Sequence, residues 1–280
     1  MRHHILIPSD FSDNAWSAAL YALKLYANKP CTFYFSHTWT FLNSGSRTYI
    51  SPSYIEPLKE KAREQLAELK ERAQLESKNN DHDFETIFSE GELIDSIELG
   101  FKTHHVDLVI MGTKGATGGQ KILLGSNTVT VIKKIKRCPV LLVPNNYEYI
   151  TPKNIAFPTD FNRIYGEELL PLKQLAELQN STIKILHISD KDRDDLTDKQ
   201  TANLEILKTN LENYQYSFNW VPVKGNKEQT IKDFNDKNAI DLITMINYKH
   251  SFIESIIREP IIKKLGFQSK IPFLVIPGIN

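Results

Sequence analysis

Val106-Asp-Leu-Val-Ile-Met-Gly-Thr-Lys-Gly115, followed after nine residues by Gly125-Ser126, reads as a buried strand feeding an open glycine loop. Glycines at the ends of such a loop let the backbone take φ > 0 and let bare N–H groups approach an anion, and Ser126 falls where the next helix begins. Val129 to Lys136 has a helical pattern closed by Lys133, Lys134, Lys136 and Arg137, cations suited to a helix C-terminus. Cys138-Pro-Val-Leu-Leu-Val-Pro144 then forms another buried strand. Strand, glycine loop, helix and strand make half of a parallel α/β unit, the setting in which such a loop binds phosphate. The better-known signatures do not fit, since there is neither a Gly-x4-Gly-Lys-Ser/Thr loop nor a G-x-G-x-x-G. A lone glycine pair would read as a surface connection, but here the flanking elements point to a nucleotide.

The chain's 280 residues, 41 % hydrophobic and 10 % aromatic, allow one large or two modest cores, and two domains is the reading adopted. Lys+Arg and Asp+Glu both number 34, so no basic excess invites nucleic acid. No apolar run approaches the roughly 18–20 residues of a membrane span. Met1-Arg-His-His enters Ile-Leu-Ile-Pro directly, without the apolar segment of an export signal, and a cytoplasmic protein is expected. Two cysteines, Cys31 and Cys138, are too few for a disulfide scaffold and suit a reducing compartment.

The two halves repeat. His4-Ile-Leu-Ile-Pro-Ser-Asp10-Phe-Ser returns as Asn154-Ile-Ala-Phe-Pro-Thr-Asp160-Phe-Asn, and Cys31 to His37 answers Ser181 to His187. Later the spacing shortens: Phe84, Gly91 and Asp107-Leu-Val-Ile-Met111 answer Phe218, Gly225 and Asp241-Leu-Ile-Thr-Met245. The residues missing from the second half are placed in the stretch Thr40 to Pro57, read as an exposed loop. Each half then alternates five strands with four helices, and the boundary is expected near Asn145 to Pro152, giving domains 1–147 and 148–280. First-half strands are expected near His4 to Pro8, Cys31 to His37, His82 to Phe88, Val106 to Met111 and Val140 to Val143. Helices are expected near Asp13 to Ala27, Tyr54 to Glu76, Leu93 to Thr103 and Ser126 to Lys136. Leu58, Ala62, Leu66, Leu69, Ala73 and Leu75 form an apolar stripe on the second helix, read as core. Continuous apolar strands imply a parallel sheet covered on both faces.

In an open parallel sheet a ligand sits beyond the strand carboxyl ends where strand order reverses. With the first and fourth strands adjacent, Pro8-Ser9-Asp10 and Gly112-Thr113 line one crevice, and His37-Thr38-Trp39 forms the adjoining wall. Phosphates would lie over the amides of Gly112 to Gly115 and of Gly125 to Asn127, with the Ser126 hydroxyl and the helix dipole assisting, and Lys114 and Lys121 as candidate charges.

These residues carry a family resemblance. Gly112, Gly115, Gly125 and Ser126 match the G-x2-G-x9-G-[S/T] motif position for position, and Pro8-Ser9-Asp10 and Pro158-Thr159-Asp160 match the family's Pro-[S/T]-Asp ending of the first strand. The chain resembles a tandem universal stress protein over nearly its whole length. The resemblance implies two Rossmann-like, adenine nucleotide alpha hydrolase-like α/β domains, each a five-stranded parallel sheet flanked by helices. It also implies binding of ATP, with or without Mg2+, as a stress-adaptive or signalling module rather than a dedicated enzyme. Finally, it implies pairing of domains through the last strands, Val140 to Val143 and Phe273 to Ile276, and allows a homodimer.

The second half departs from the motif: after Met245 no glycine occurs until Gly266, and Glu259 near the serine position would repel phosphate. One competent site and one degenerate domain are expected. Asp160 persists there, so part of the role of Asp10 is read as fixing the turn. Two rival readings stay open. A ligand-free interaction scaffold would use Asp190 to Asp195 and Tyr248 to Glu259 as surfaces. A hydrolase or nucleotidyltransferase would want a His- or Lys-rich cluster, yet His3-His4 and His104-His105 fall at strand and helix ends.

Overall fold

The computed structural model describes residues 1–40, 52–113, 124–190, 196–223, 225, 227–248 and 270–278. The chain divides into two compact units, Met1–Tyr149 and Ile150–Asn280.

The first unit runs β1 (His3–Pro8), α1 (Asp13–Leu25), β2 (Cys31–Trp39), α2 (Pro52–Glu76), β3 (His82–Glu90), α3 (Leu93–Thr103), β4 (Leu108–Gly112), α4 (Ser126–Lys134) and β5 (Val140–Val143). Its strands lie in the order β3-β2-β1-β4-β5, all parallel. Ile5 to Ile7, Val109, Ile110 and Leu141 to Val143 are fully buried in succession, so both faces of the sheet are covered. Helices α1 and α2 pack on each other, as do α3 and α4, and α2 and α3 both cover β2 and β3. Because β1 pairs with both β2 and β4, the strand order reverses beside it, which makes its carboxyl end the switch point.

Asp107 ties the opposite edge. Its Oδ2 accepts the His4 N–H at 2.8 Å, and its own N–H donates to the His4 carbonyl at 2.8 Å. Asp241 repeats this in the second unit, accepting from Asn154 and Lys153 N–H at 2.9 Å each. His4 Nδ1 lies 2.9 Å from the Tyr34 hydroxyl and His104 stacks on Tyr34 at 4.1 Å, so these histidines brace the amino-terminal edge of the sheet, away from its carboxyl ends.

The second unit runs β6 (Asn154–Pro158), a 3-10 turn (Glu167–Leu169), α5 (Leu170–Gln179), β7 (Thr182–Ile188), α6 (Asp198–Leu211), β8 (Tyr216–Val221), α7 (Lys227–Lys237), β9 (Leu242–Asn247) and β10 (Phe273–Pro277), with parallel strands in the order β10-β9-β6-β7-β8. Its expected fourth helix, Glu259 and most of the stretches Asp190 to Asp195 and Tyr248 to Glu259 lie outside the described residues.

Two expectations are corrected. The loop placed at Thr40 to Pro57 gives way to helix at Pro52, with Pro57 inside α2. Pro52 opens the helix, where proline is tolerated, and Pro57, its sixth residue, lacks the N–H that would bond the carbonyl four residues back; residues 41–51 lie outside the described residues. The α2 stripe is core only in its middle, where Ala62, Leu66 and Ala73 are buried. Leu58 and Leu75 are 40 % and 88 % exposed, because both ends of this 25-residue helix reach past the sheet it covers.

Candidate functional site

The turn after β1 is built from its own side chains. Ser9 Oγ accepts the Phe11 N–H at 3.0 Å, and Asp10 Oδ1 accepts the Ser12 N–H at 3.1 Å and its hydroxyl at 2.6 Å. Ser12 Oγ in turn caps α1 by accepting the Ala15 N–H at 3.2 Å. Phe11 sits at φ 63°, a conformation that costs a bulky residue energy and is held by these bonds and by stacking on His37 at 4.3 Å. His37 approaches the Ser9 carbonyl through Nδ1 at 2.8 Å; a carbonyl only accepts, so Nδ1 carries the proton and Nε2 of the neutral ring is an acceptor.

The second unit repeats the device. Thr159 Oγ1 accepts the Phe161 N–H, Asp160 accepts the Asn162 N–H, Phe161 has φ 55° and stacks on His187 at 4.7 Å, and His187 Nδ1 donates to the Thr159 carbonyl at 2.9 Å. Recurrence in a half without the glycine motif marks Asp10 and His37 as builders of the turn.

On the other side of the switch point, Gly112 ends β4. A Cβ there would lie 2.3 Å from Asn14 Nδ2 and 2.7 Å from Asn14 Cγ, so glycine is required by the close approach of α1. Gly125 is the N-cap of α4 at φ −63°, ψ 156°, ordinary extended backbone. The expected positive φ at Gly112 and Gly125 is therefore corrected; among the described residues the glycines with φ > 0 are the repeat pair Gly91 and Gly225. Thr113, 8 % exposed, closes the base of the loop: its N–H donates to the Val143 carbonyl, and its carbonyl accepts the Gly125 N–H at 2.7 Å and the Thr128 hydroxyl at 3.1 Å. Gly115, Lys114 and Lys121 lie outside the described residues.

A cleft of about 630 Å³ opens at this point. Of the residues expected in the site, Pro8, Ser9, Asp10, His37, Thr38, Gly112 and Asn127 line it; Thr113, Gly125 and Ser126 do not, Thr113 because it is turned into the loop base. Trp39, expected in the wall with His37 and Thr38, lines it too, as do residues that sequence reasoning missed: Ala15 of α1, Thr40 beyond Trp39, Glu92, Leu93 and Ile94 at the start of α3, Met111, and Thr128, Thr130 and Val131 of α4. Three helices thus begin at the cleft, α1, α3 and α4, but Ser12 caps α1 and a Glu92–Asp95 capping box closes α3, so of the three it is α4, with Gly125 as N-cap and no side-chain cap, whose first-turn amides stay open. Its dipole favours an anion there, while Asp10 and Glu92 set two carboxylates on the same wall.

In the second unit two tyrosines are buried near the turn after β6, and residues 249–269 lie outside the described residues. Tyr165, 7 % exposed, shares a hydrogen bond with Thr159 Oγ1 at 2.7 Å, and burial pushes its phenol up to about 12. Tyr248, 8 % exposed, follows β9, hydrogen-bonds Glu168 and carries Arg163 4.5 Å over its ring; burial, then the Glu168 bond, raises its pKa. Phe161 is fully buried between His187 and Trp220, and burial lowers the pKa of His187.

The universal stress protein family model matches residues 1–144, and the matched stretch holds the whole cleft. The chain belongs to the universal stress protein family. Universal stress protein MJ0531 of Methanocaldococcus jannaschii is 33 % identical over 145 residues, covering 50 % of this chain and 80 % of that protein. The solved structure of a universal stress protein from Archaeoglobus fulgidus DSM 4304 superposes with a TM-score of 0.71 at 18 % identity, covering 98 % of this chain and 96 % of that one. A functionally unknown protein from Pseudomonas aeruginosa PAO1 superposes with a TM-score of 0.57 at 12 % identity, covering 98 % and 92 %. At these identities the two structures speak for the fold alone. Both units are therefore described by the universal stress protein fold, Rossmann-like and parallel, while the family sequence signal is placed on the first. No helix among the described residues is long and apolar enough to cross a membrane.

Proposed function

We propose that the first unit, residues 1–147, is an adenine-nucleotide-binding universal stress protein domain that takes ATP, with or without Mg2+, and that residues 148–280 form a degenerate domain. What supports this reading is the cleft at the β1–β4 switch point with the uncapped N-terminus of α4 at its end, beside the Gly125-Ser126 end of the motif. The cleft volume lies in the range of small-molecule sites, roughly 300–1,000 Å³. Ser126 and Asn127 supply the first-turn amides for phosphate, and the turn at Pro8 to Asp10 supplies a second wall. The degenerate reading of the second unit is supported by Tyr165, which in the repeat answers the cleft-lining Ala15 and is buried against Thr159.

The module acts through occupancy: bound nucleotide changes what partners meet in a cytoplasmic stress response. Pairing of the two domains through β5 and β10, and a homodimer, belong to the same reading. In this reading His37 serves the turn after β1, its Nδ1 donating to the Ser9 carbonyl, and the module binds rather than carries out dedicated catalysis. Among the described residues no group of three His, Cys, Asp or Glu is placed to hold a metal, so an accompanying Mg2+ would ride on the phosphates.

The test is mass spectrometry of nucleotide released from the freshly purified, denatured protein, with calorimetric titration of the emptied protein. About one ATP per chain is expected. No nucleotide and no titratable affinity would overturn this reading in favour of a ligand-free scaffold.

A further inference from the structure

Strands β3 and β8 hold the same place in their units, each pairing among the described residues on one side only, with β2 and with β7. They are guarded differently. Strand β3 carries Asp83, Glu85 and Glu90 at exposed positions, and Asp83 pairs with Arg2 at 2.7 Å. Such charges keep an edge from accepting a further strand. Strand β8, Tyr-Ser-Phe-Asn-Trp-Val from Tyr216 to Val221, has no charge, no proline and no break in its register with β7, and all 6 residues are partly exposed. The carbonyls of Gln215 and Val221 accept the N–H groups of Ile183 and Ser189, so the odd-numbered residues turn their backbone groups toward β7. The N–H and C=O groups of Tyr216, Phe218 and Trp220 therefore point away from the sheet. Their rings share one face, with centroids 5.5 Å apart for Tyr216 and Phe218 and 5.9 Å apart for Phe218 and Trp220.

We propose that β8 is a self-association edge, which pairs antiparallel with β8 of a second copy of this chain about a twofold axis at Phe218. The occupant is a second copy because the strand complements itself in that register. Phe218 meets Phe218, Tyr216 meets Trp220 and Ser217 meets Asn219, so aromatic faces aromatic, a hydroxyl faces an amide and no like charges oppose. The outward backbone groups fall at the hydrogen-bonded positions of the same register. Phe218 exchanges both bonds with its symmetry mate and Tyr216 does so with Trp220, which gives about six bonds across the axis. A slip of one residue would set Phe218 against Asn219, whose backbone groups already serve β7. The inference is independent of the nucleotide reading, since β8 belongs to the second unit.

Sedimentation equilibrium of the full chain tests the association, and cysteine pairs test the register. Wild type is expected to be a dimer at about 100 µM, and the double variant Ser217→Glu with Asn219→Glu, which sets carboxylates directly opposite one another, to associate at least about tenfold more weakly. Ser217→Cys mixed with Asn219→Cys is expected to cross-link on mild oxidation, and neither variant with itself. Opposed residues of an antiparallel pair lie about 4.5–5.5 Å apart and diagonal ones about 7–8 Å, beyond the reach of a disulfide. Cys31 and Cys138 are buried and do not compete. Both cysteine substitutions are small, so this arm decides even where the glutamate variant fails to fold. A monomeric wild type overturns the proposal and leaves the edge to a strand of another protein. A dimer that persists in the glutamate variant overturns it too, since the copies then meet elsewhere, and so does failure of the mixed cysteine pair to cross-link.

Discussion

At the scale of single residues, Gly112 and Gly125 separate two meanings of glycine. Gly112 is a packing requirement, because a methyl group would enter the Asn14 side chain. Gly112→Ala is expected to destabilise the first unit by ~1–3 kcal/mol, and Asn14→Ala, which opens that space, to recover part of the loss in a urea-melt comparison. Gly125 instead has backbone angles that suit any N-cap residue. Gly125→Asp should therefore leave α4 as stable or more so while setting a carboxylate where phosphate is proposed to bind. Thermal melts should show no loss and calorimetry should show abolished ATP affinity; retained affinity would remove the α4 terminus from the site. Gly115→Asp is expected to abolish affinity in the same way. His187 carries a pH prediction. Burial lowers its folded pKa below the ordinary 6.5, so the unfolded chain binds the proton more readily. Its share of stability is complete above about pH 6.5 and is lost as pH falls from there through the folded value. Melts at about pH 7.5 and about pH 5.5 should show a smaller acid loss in His187→Gln than in wild type, and equal losses would count against burial as the cause.

At the scale of elements, Asp107 and Asp241 join the first and fourth strands of each sheet at the edge away from the strand carboxyl ends. Asp241 accepts two backbone N–H groups where Asp107 accepts one, so Asp241→Ala should cost more than Asp107→Ala, by about 1 kcal/mol in chemical denaturation. Equal costs would mean that the side-chain bonds are replaced by water. Both aspartates, the strand ends and the paired Pro-[S/T]-Asp-Phe turns were legible in the sequence because they repeat and because strand burial writes itself as local apolar runs. Other features depend on contacts far apart in the chain. Asn14 against Gly112 is a meeting of α1 and β4, and Glu92 and Leu93 reach the cleft only because Gly91 turns the chain back, whereas Trp39 was legible from its place at the carboxyl end of β2. The apolar stripe of α2 showed which face turns inward, but the end of the sheet beneath it decides that Leu58 and Leu75 stay exposed.

For the whole molecule, the repeat makes each unit a control for the other. Both carry the same strand order and the same turn after the first strand, yet Ala15, which lines the first cleft, is answered in the second unit by the buried Tyr165. A ligand that binds only the folded first unit stabilises it by about 2.7 kcal/mol at a hundred times its dissociation constant. Hydrogen exchange with and without ATP should therefore slow in the segments that build the cleft, Pro8 to Ala15, His37 to Thr40, Glu92 to Ile94 and Asn127 to Val131. Exchange at Pro158 to Tyr165 and Leu186 to Ile188 should stay unchanged, because the tyrosines there already exclude the ligand. Equal slowing in both units would overturn the assignment of one competent and one degenerate domain, since it would require the buried Tyr165 and Tyr248 to leave their places as readily as water leaves the first cleft.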